Sequence, residues 1–158
     1  MQSEWKEVYM NIGITGTRFG LTGDQAAEFK RQLEALGTST LHHGDCVGAD
    51  ADCHDIAEAL GWNIVIHPPA ADNHRANKQS NDIREPLNHL CRNRAIVTES
   101  NLLLAAPGGD KETFRSGTWY TIRHAIKEGV PVRVILPDGS VIEGEEILNC
   151  LLPGKWGA

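Results

Sequence analysis

Two glycine-bearing segments of this chain have the residue types needed to hold an anion. Leu102-Leu103-Leu104-Ala105-Ala106 is a short apolar run that stops at Pro107-Gly108-Gly109, and Ser116-Gly117-Thr118 follows at the start of a helical pattern. Glycines let backbone N–H groups approach a bound group with no Cβ in the way, and a helix N-terminus adds aligned donors and partial positive charge. Gly13-Ile14-Thr15-Gly16-Thr17-Arg18 ends an earlier apolar run in the same manner. It lacks the third glycine of a dinucleotide fingerprint and the lysine of a phosphate loop, but Arg18 offers a guanidinium that can grip phosphate bidentately.

A third segment, His43-Gly44-Asp45-Cys46-Val47-Gly48-Ala49-Asp50, combines two glycines with two carboxylates ahead of a helix. Asp45 and Asp50 suit capping of helix N–H groups or acceptance from ribose hydroxyls. Arg92-Asn93-Arg94 lies in an otherwise apolar helical stretch. Its two arginines project roughly 200° apart, so one is expected at the crevice and the other at solvent or an acidic neighbour. Trp119 and Tyr120 are expected to pack helix against sheet rather than to stack on a base. Cys46, Cys53 and His54, with His42 and His43 upstream, bring metal ligands near one another in sequence. Their spacing matches no close pair of ligand hooks, and reduced thiols with polar histidines are the expectation; neither a metal nor a cofactor is expected.

These residues need elements to position them. The sequence predicts a strand over Val8 to Thr15 and a helix entered through Thr22-Gly23-Asp24-Gln25 and ended by Gly37. It predicts a second strand from Ser39 to His43, a second helix from Ala49 to Leu60 closed by Gly61, and a third strand from Trp62 to His67 halted by Pro68-Pro69. Ala70 to Arg84 is polar without period and is expected to be a long loop. Pro86 suits the first turn of a third helix running through Val97. The Leu102 to Ala106 strand, a helix from about Gly117 to Lys127 ended by Gly129, and a strand over Val130 to Leu136 complete the pattern, with Asp138-Gly139 turning into a short antiparallel excursion at Val141-Ile142.

Strands alternating with helices predict an α/β fold: a Rossmann-like, doubly wound, mainly parallel sheet with helices on both faces. In the order 3-2-1-4-5 the first and fourth strands flank the switch point, so Gly16-Thr17-Arg18 and Pro107-Gly108-Gly109 face each other across the crevice where such sheets bind ligands. The chain of 158 residues is expected to be one domain. No apolar run approaches the ~20 residues of a membrane span, and the first residues show no basic region followed by an apolar core, so a cytoplasmic location is expected. The net charge of −6 works against non-specific attraction to nucleic acid or to anionic membranes.

Together, His43-Gly44-Asp45 with Gly48-Ala49-Asp50, Arg92-Asn93-Arg94-Ala95-Ile96-Val97, and Ala106-Pro107-Gly108-Gly109 with Ser116-Gly117-Thr118 resemble the signature blocks of the SLOG superfamily, over roughly Met10 to Leu136. Its branches include DNA-processing protein A, the LOG phosphoribohydrolases and small standalone YspA- and YpsA-like proteins. The resemblance implies a nucleotide or nucleotide-derived ligand between the glycine loops, with Gly16, Thr17, Arg18, Gly44, Asp45, Gly48, Asp50, Arg92, Asn93, Gly108, Gly109, Gly117 and Thr118 as ligand-binding positions. LOG-type hydrolases follow Pro-Gly-Gly-x-Gly-Thr closely with glutamates. Here Asp110 to Arg115 lengthens the loop and Trp119-Tyr120-Thr121 stands in place of the acids. Cleavage of an N-glycosidic bond passes through an oxocarbenium-like state that a carboxylate should stabilise. Asp45, Asp50, Glu99 and Glu112 are the substitutes available.

The leading expectation is therefore a binding domain for a nucleotide-derived small molecule, including a sensing role. A nucleoside-monophosphate N-glycosidic hydrolase or transferase is the alternative, and single-strand DNA binding ranks behind both. A homo-oligomer stays open as a partner state, because no interface stripe stands out.

Overall fold

The computed structural model describes residues 10–71 and 73–152. The elements run β1 (Asn11–Gly16), α1 (Gly23–Leu36), β2 (Thr40–His43), α2 (Ala49–Ala59), β3 (Asn63–Ile66), β4 (Asp82–Ile83), α3 (His89–Thr98), β5 (Leu102–Ala106), α4 (Gly117–Lys127), β6 (Val132–Ile135) and β7 (Val141–Glu143), then a π-helical turn at Ile147–Leu151. One sheet has the order β4-β3-β2-β1-β5-β6-β7, parallel except for the β6–β7 pair. The five expected strands stand in the expected order. Val8 and Tyr9, read as the start of the first strand, lie outside the described residues.

Each strand of the sheet's centre is buried on both faces. Leu102 and Leu104 join Ile12, Ile14, Phe29, Leu33 and Leu41 on one side, while Leu103 and Ala105 join Val97, Trp119, Ile122 and Val134 on the other. That alternation within a continuous apolar run is what a fully covered parallel strand requires. Helix α1 starts with a full capping box: the Gln25 N–H donates to Thr22 Oγ1 at 3.0 Å, and the Thr22 N–H donates to Gln25 Oε1 at 3.0 Å. The same Gln25 amide donates to Pro107 O at 2.9 Å and Ile135 O at 3.0 Å, so α1 fixes the start of the loop after β5.

Two expectations change. The polar stretch 70–84 contains β4, two residues paired with β3 at Val65↔Asp82 and Ile66↔Ile83. The third helix starts at His89, not at Pro86: Asn88 is its N-cap, accepting the Cys91 N–H at 2.9 Å. Leu87 is drawn away from the helix by pairing with the Pro68-Pro69 segment, with its N–H donating to Pro68 O at 3.2 Å and its O accepting from Ala70 N at 2.8 Å. Among the described residues no helix is long and apolar enough to cross a membrane.

Close approach of backbones sets the geometry at the carboxyl ends of the strands. A Cβ on Gly48, whose φ is +95°, would lie 2.3 Å from the Arg18 carbonyl carbon. Gly48→Ala is expected to cost at least about 2 kcal/mol, seen as a drop of several degrees in Tm. Gly23→Ala, a helical position facing open space, should leave stability level or raise it by up to about 1 kcal/mol; equal melting of the two variants would contradict the packing account.

Candidate functional site

The loops after β1, β2 and β5 and the N-termini of α3 and α4 meet around a cavity of about 740 Å³, at the switch point between β1 and β5. This is where an open α/β sheet leaves a crevice, and the size suits a small-molecule ligand. Backbone bonds lock the walls together. The Thr17 N–H donates to Ala106 O at 3.0 Å and the Ala49 N–H to Thr17 O at 2.8 Å, tying the first loop to the strand beside it and to the start of α2.

Gly16, Thr17, Arg18, Gly44, Asp50, Arg92, Asn93, Gly108, Gly109, Gly117 and Thr118 line this cavity. Asp45 and Gly48, grouped with them on sequence grounds, do not. The Asp45 carboxylate is fully buried and turned to the 75–78 segment, accepting from Arg75 Nε at 2.9 Å and from the Lys78 N–H at 2.9 Å. It has φ +57° and organises a loop instead of facing a ligand. Gly48 is needed for its conformation and for the passage of the Arg18 backbone.

The two arginines of α3 part company as their spacing requires. Arg94 donates from Nε to the Tyr120 hydroxyl at 2.7 Å, on the side of the helix away from the cavity. Arg92 is buried and spends its donors on the protein: Nη1 on Gly44 O at 2.6 Å and His67 O at 3.3 Å, Nε on Asn93 Oδ1 at 2.7 Å. A Cβ on Gly44 would stand 2.7 Å from Arg92 Nη1, so that glycine exists to seat the guanidinium.

Helix α4 presents donors to the cavity. Its N-cap Ser116 takes the Trp119 N–H at 3.3 Å, and the Gly117 and Thr118 N–H groups, at the cavity wall, belong to the first turn that has no intrahelical acceptors. Trp119 is buried at that wall as part of the core, which fits packing.

Charge is unevenly distributed around this cavity. Its walls carry Arg18, Arg92 and Arg115 against a single carboxylate, Asp50, although the whole chain has a net charge of −6. Arg115, His74 and His89, which also line the cavity, were not singled out by sequence. Arg18 Nη1 lies 3.2 Å from His74 Nε2, and Arg92 Nη2 lies 3.2 Å from His89 Nδ1. His89 sits one turn before Arg92 on α3, a spacing that was legible; His74 and Arg115 sit in aperiodic loops at φ +63° and +60°, and no local pattern marks them.

Of the four carboxylates offered as catalytic substitutes, only Asp50 reaches the cavity. Glu112 is paired with Arg123 at 2.5 Å and Glu99 with Arg84 at 2.7 Å. Asp50 Oδ2 accepts the Gly44 N–H at 3.1 Å and the Cys46 N–H at 3.2 Å. Burial raises its pKa to about 6 despite the opposing pull of Arg92 and of those two N–H groups. The cysteines and histidines considered as a metal group do not come together as one set: His43 Nε2 lies 2.9 Å from His54 Nδ1, while His42 and His54 sit in two different clusters with other partners. Among the described residues Cys46 and Cys53 join no metal-ligand cluster and all four cysteines are free thiols.

Comparison with solved structures shows a shared Rossmann-like fold. The chain is similar to the molybdenum cofactor binding protein of the phototrophic bacterium Rippkaea orientalis (TM-score 0.65, 21% identity, 83% of this chain and 78% of that one). It is also similar to the Moco carrier protein of Chlamydomonas reinhardtii (TM-score 0.60, 22% identity, 82% and 77%). A third likeness is to DNA processing protein A of Streptococcus pneumoniae (TM-score 0.61, 19% identity), covering 80% of this chain but 50% of that protein. That last protein represents a branch named on sequence resemblance, so the fold implied by the SLOG-like blocks is the fold found. No protein-family model and no curated protein sequence matches the chain.

Buried imidazoles make the protein sensitive to acid. Burial, reinforced by His54, holds His43 down to about 3, and burial next to His42 holds His67 down to about 4. Both rings are neutral when folded and protonate near 6.5 when unfolded, so their stabilisation is present above pH 6.5 and is lost as pH falls toward their folded values. Asp50 acts oppositely, binding its proton near 6 in the folded state and near 4 in the unfolded one. The histidines outweigh it, and unfolding free energy is expected to be on the order of 2 kcal/mol lower at pH 5 than at pH 7. Urea titrations at the two pH values check this; equal midpoints would contradict it.

Proposed function

We propose that this chain is a SLOG-type domain whose cleft binds a small phosphate-bearing heterocyclic ligand, a nucleotide or nucleotide-derived molecule. The observation that carries the reading is a cavity walled by three arginines and one carboxylate in an acidic chain, with the first-turn N–H groups of α4 at the same wall. Aligned N–H donors and a guanidinium together match a phosphate dianion, and Gly108 and Gly109 leave its approach open. Two of the similar structures are of proteins described as binding or carrying the molybdenum cofactor, which supports including that phosphorylated pterin among the ligands tested. Binding is favoured over single-strand DNA recognition because the chain has a net charge of −6 and its cleft gathers three arginines around a small cavity.

A second reading, N-glycosidic hydrolysis of a nucleoside monophosphate, is supported by Asp50. A carboxyl group with a pKa of about 6 at the cavity wall can exchange a proton near neutral pH. Its Oδ2 is held by two backbone N–H groups, which favours a loop-organising task and ranks hydrolysis second.

Gly109 separates binding from folding, because a Cβ placed there meets no atom within 4 Å. Gly109→Val is expected to melt within about 1 °C of the parent yet lose at least tenfold in affinity for the nucleoside monophosphate or pterin phosphate that stabilises the parent. Arg18→Ala, at an exposed side chain, should behave alike through loss of a charge-assisted bond worth about 1.5 kcal/mol or more. Thermal-shift screening across nucleotides and the molybdenum cofactor reads both. Absence of stabilisation by every member of the panel would overturn the proposal, and release of free base during incubation would move the second reading ahead.

A further inference from the structure

A second cluster, none of whose members lines the cleft, is built from β2 and the ends of β3 and α3. His42 from β2, His67 just after β3 and Glu99 just after α3 hold one nitrogen or carboxylate oxygen each, all within 4.8 Å of one another. The two rings are buried, with His42 Nδ1 2.9 Å from His67 Nε2, while the Glu99 side chain is partly exposed. We propose that His42, His67 and Glu99 form a binding site for a divalent transition metal of the zinc class.

The donor set is two imidazoles and one carboxylate, which leaves a fourth tetrahedral position for water. Metal–nitrogen bonds of about 2.0–2.1 Å put two tetrahedral nitrogens about 3.4 Å apart, so the rings need to open by only about half an ångström. Hydrogen bonding prepares the first ligand. His42 Nε2 lies 2.9 Å from Asn11 Oδ1, which can only accept, so the ring proton sits on Nε2 and the Nδ1 lone pair points at His67. A carbonyl-type acceptor behind a histidine is the usual outer support of a metal ligand. The His67 proton then lies between the rings on Nε2, and a cation takes that place once the proton moves to Nδ1; both imidazoles enter the site neutral and no oxidant or reductant is needed.

Charge favours a cation as well. Glu99 is the C-cap of α3, where the helix presents its negative end. Arg84 opposes, with Nη2 at 2.7 Å from Glu99 Oε1, but it keeps a second partner in Asp82 at 2.5 Å when Glu99 turns to the metal. The partly exposed Glu99 also supplies the way in from solvent. The other cluster, His54 with Asp55 and Glu58, has two exposed carboxylates and its His54 Nδ1 is already bonded to His43 at 2.9 Å, so it serves as the internal control.

The test is titration of the chelator-treated full chain with Co²⁺, followed by its visible bands, and then with Zn²⁺. One equivalent of Co²⁺ is expected to give the intense bands of a four-coordinate ion, bleached by Zn²⁺ and accompanied by a higher Tm. Glu99→Gln and His67→Gln should each weaken uptake at least tenfold, Asn11→Leu by about 10- to 100-fold, and Glu58→Gln not at all. If His67→Gln does not fold, Glu99→Gln at its partly exposed position decides. No stoichiometric uptake by the folded parent, unchanged uptake by Glu99→Gln, or loss of uptake in Glu58→Gln would each overturn the assignment.

Discussion

The cleft depends on one steric constraint: three chain segments pass one another at distances that allow no extra Cβ. A Cβ on Gly16 would stand 2.5 Å from the Ala49 Cβ and 2.9 Å from Ala106 O, and one on Gly48 would enter the Arg18 backbone. Because these contacts are so close, the Thr17 amide reaches Ala106 and its carbonyl receives the Ala49 N–H. The loops after β1 and β5 and the start of α2 therefore behave as one wall. Arg92 does the same on the opposite side, where its guanidinium holds the carbonyls of Gly44 and His67.

That division of labour separates residues that build the cleft from residues that face its contents. Gly48, Asp45 and most of the Arg92 donors serve construction, whereas Gly109, Arg18, Arg115 and the first N–H groups of α4 are turned to the space inside. The proposed phosphate site, made largely of backbone donors and arginine, would need no chemistry of its own to bind its ligand. The carboxylates that would add hydrolysis are paired elsewhere, apart from Asp50.

Periodicity and punctuation made the architecture legible. Gly37, Gly61 and Gly129 end the helices with φ between +77° and +81°, and the Asp138-Gly139 turn returns β7 onto β6. The two-residue β4 was not legible, because its structure comes from pairing with β3 across sixteen or so residues of polar chain and two residues carry no period. Asp45 was misplaced for a related reason: its partners, Arg75 and Lys78, lie about thirty residues away and local spacing gives no hint of them. The His42–His67 contact is of the same kind, fixed by strand register and invisible in either segment alone.

The most direct test of the account is calorimetric titration of the protein with a nucleoside monophosphate and with the matching nucleoside, at low and at physiological salt. If the arginines and the α4 N-terminus hold a phosphate, the monophosphate binds at least tenfold more tightly than the nucleoside and loses affinity as salt rises. Equal affinities for the two, unaffected by salt, would show that the cleft reads something other than the anion and would contradict the account.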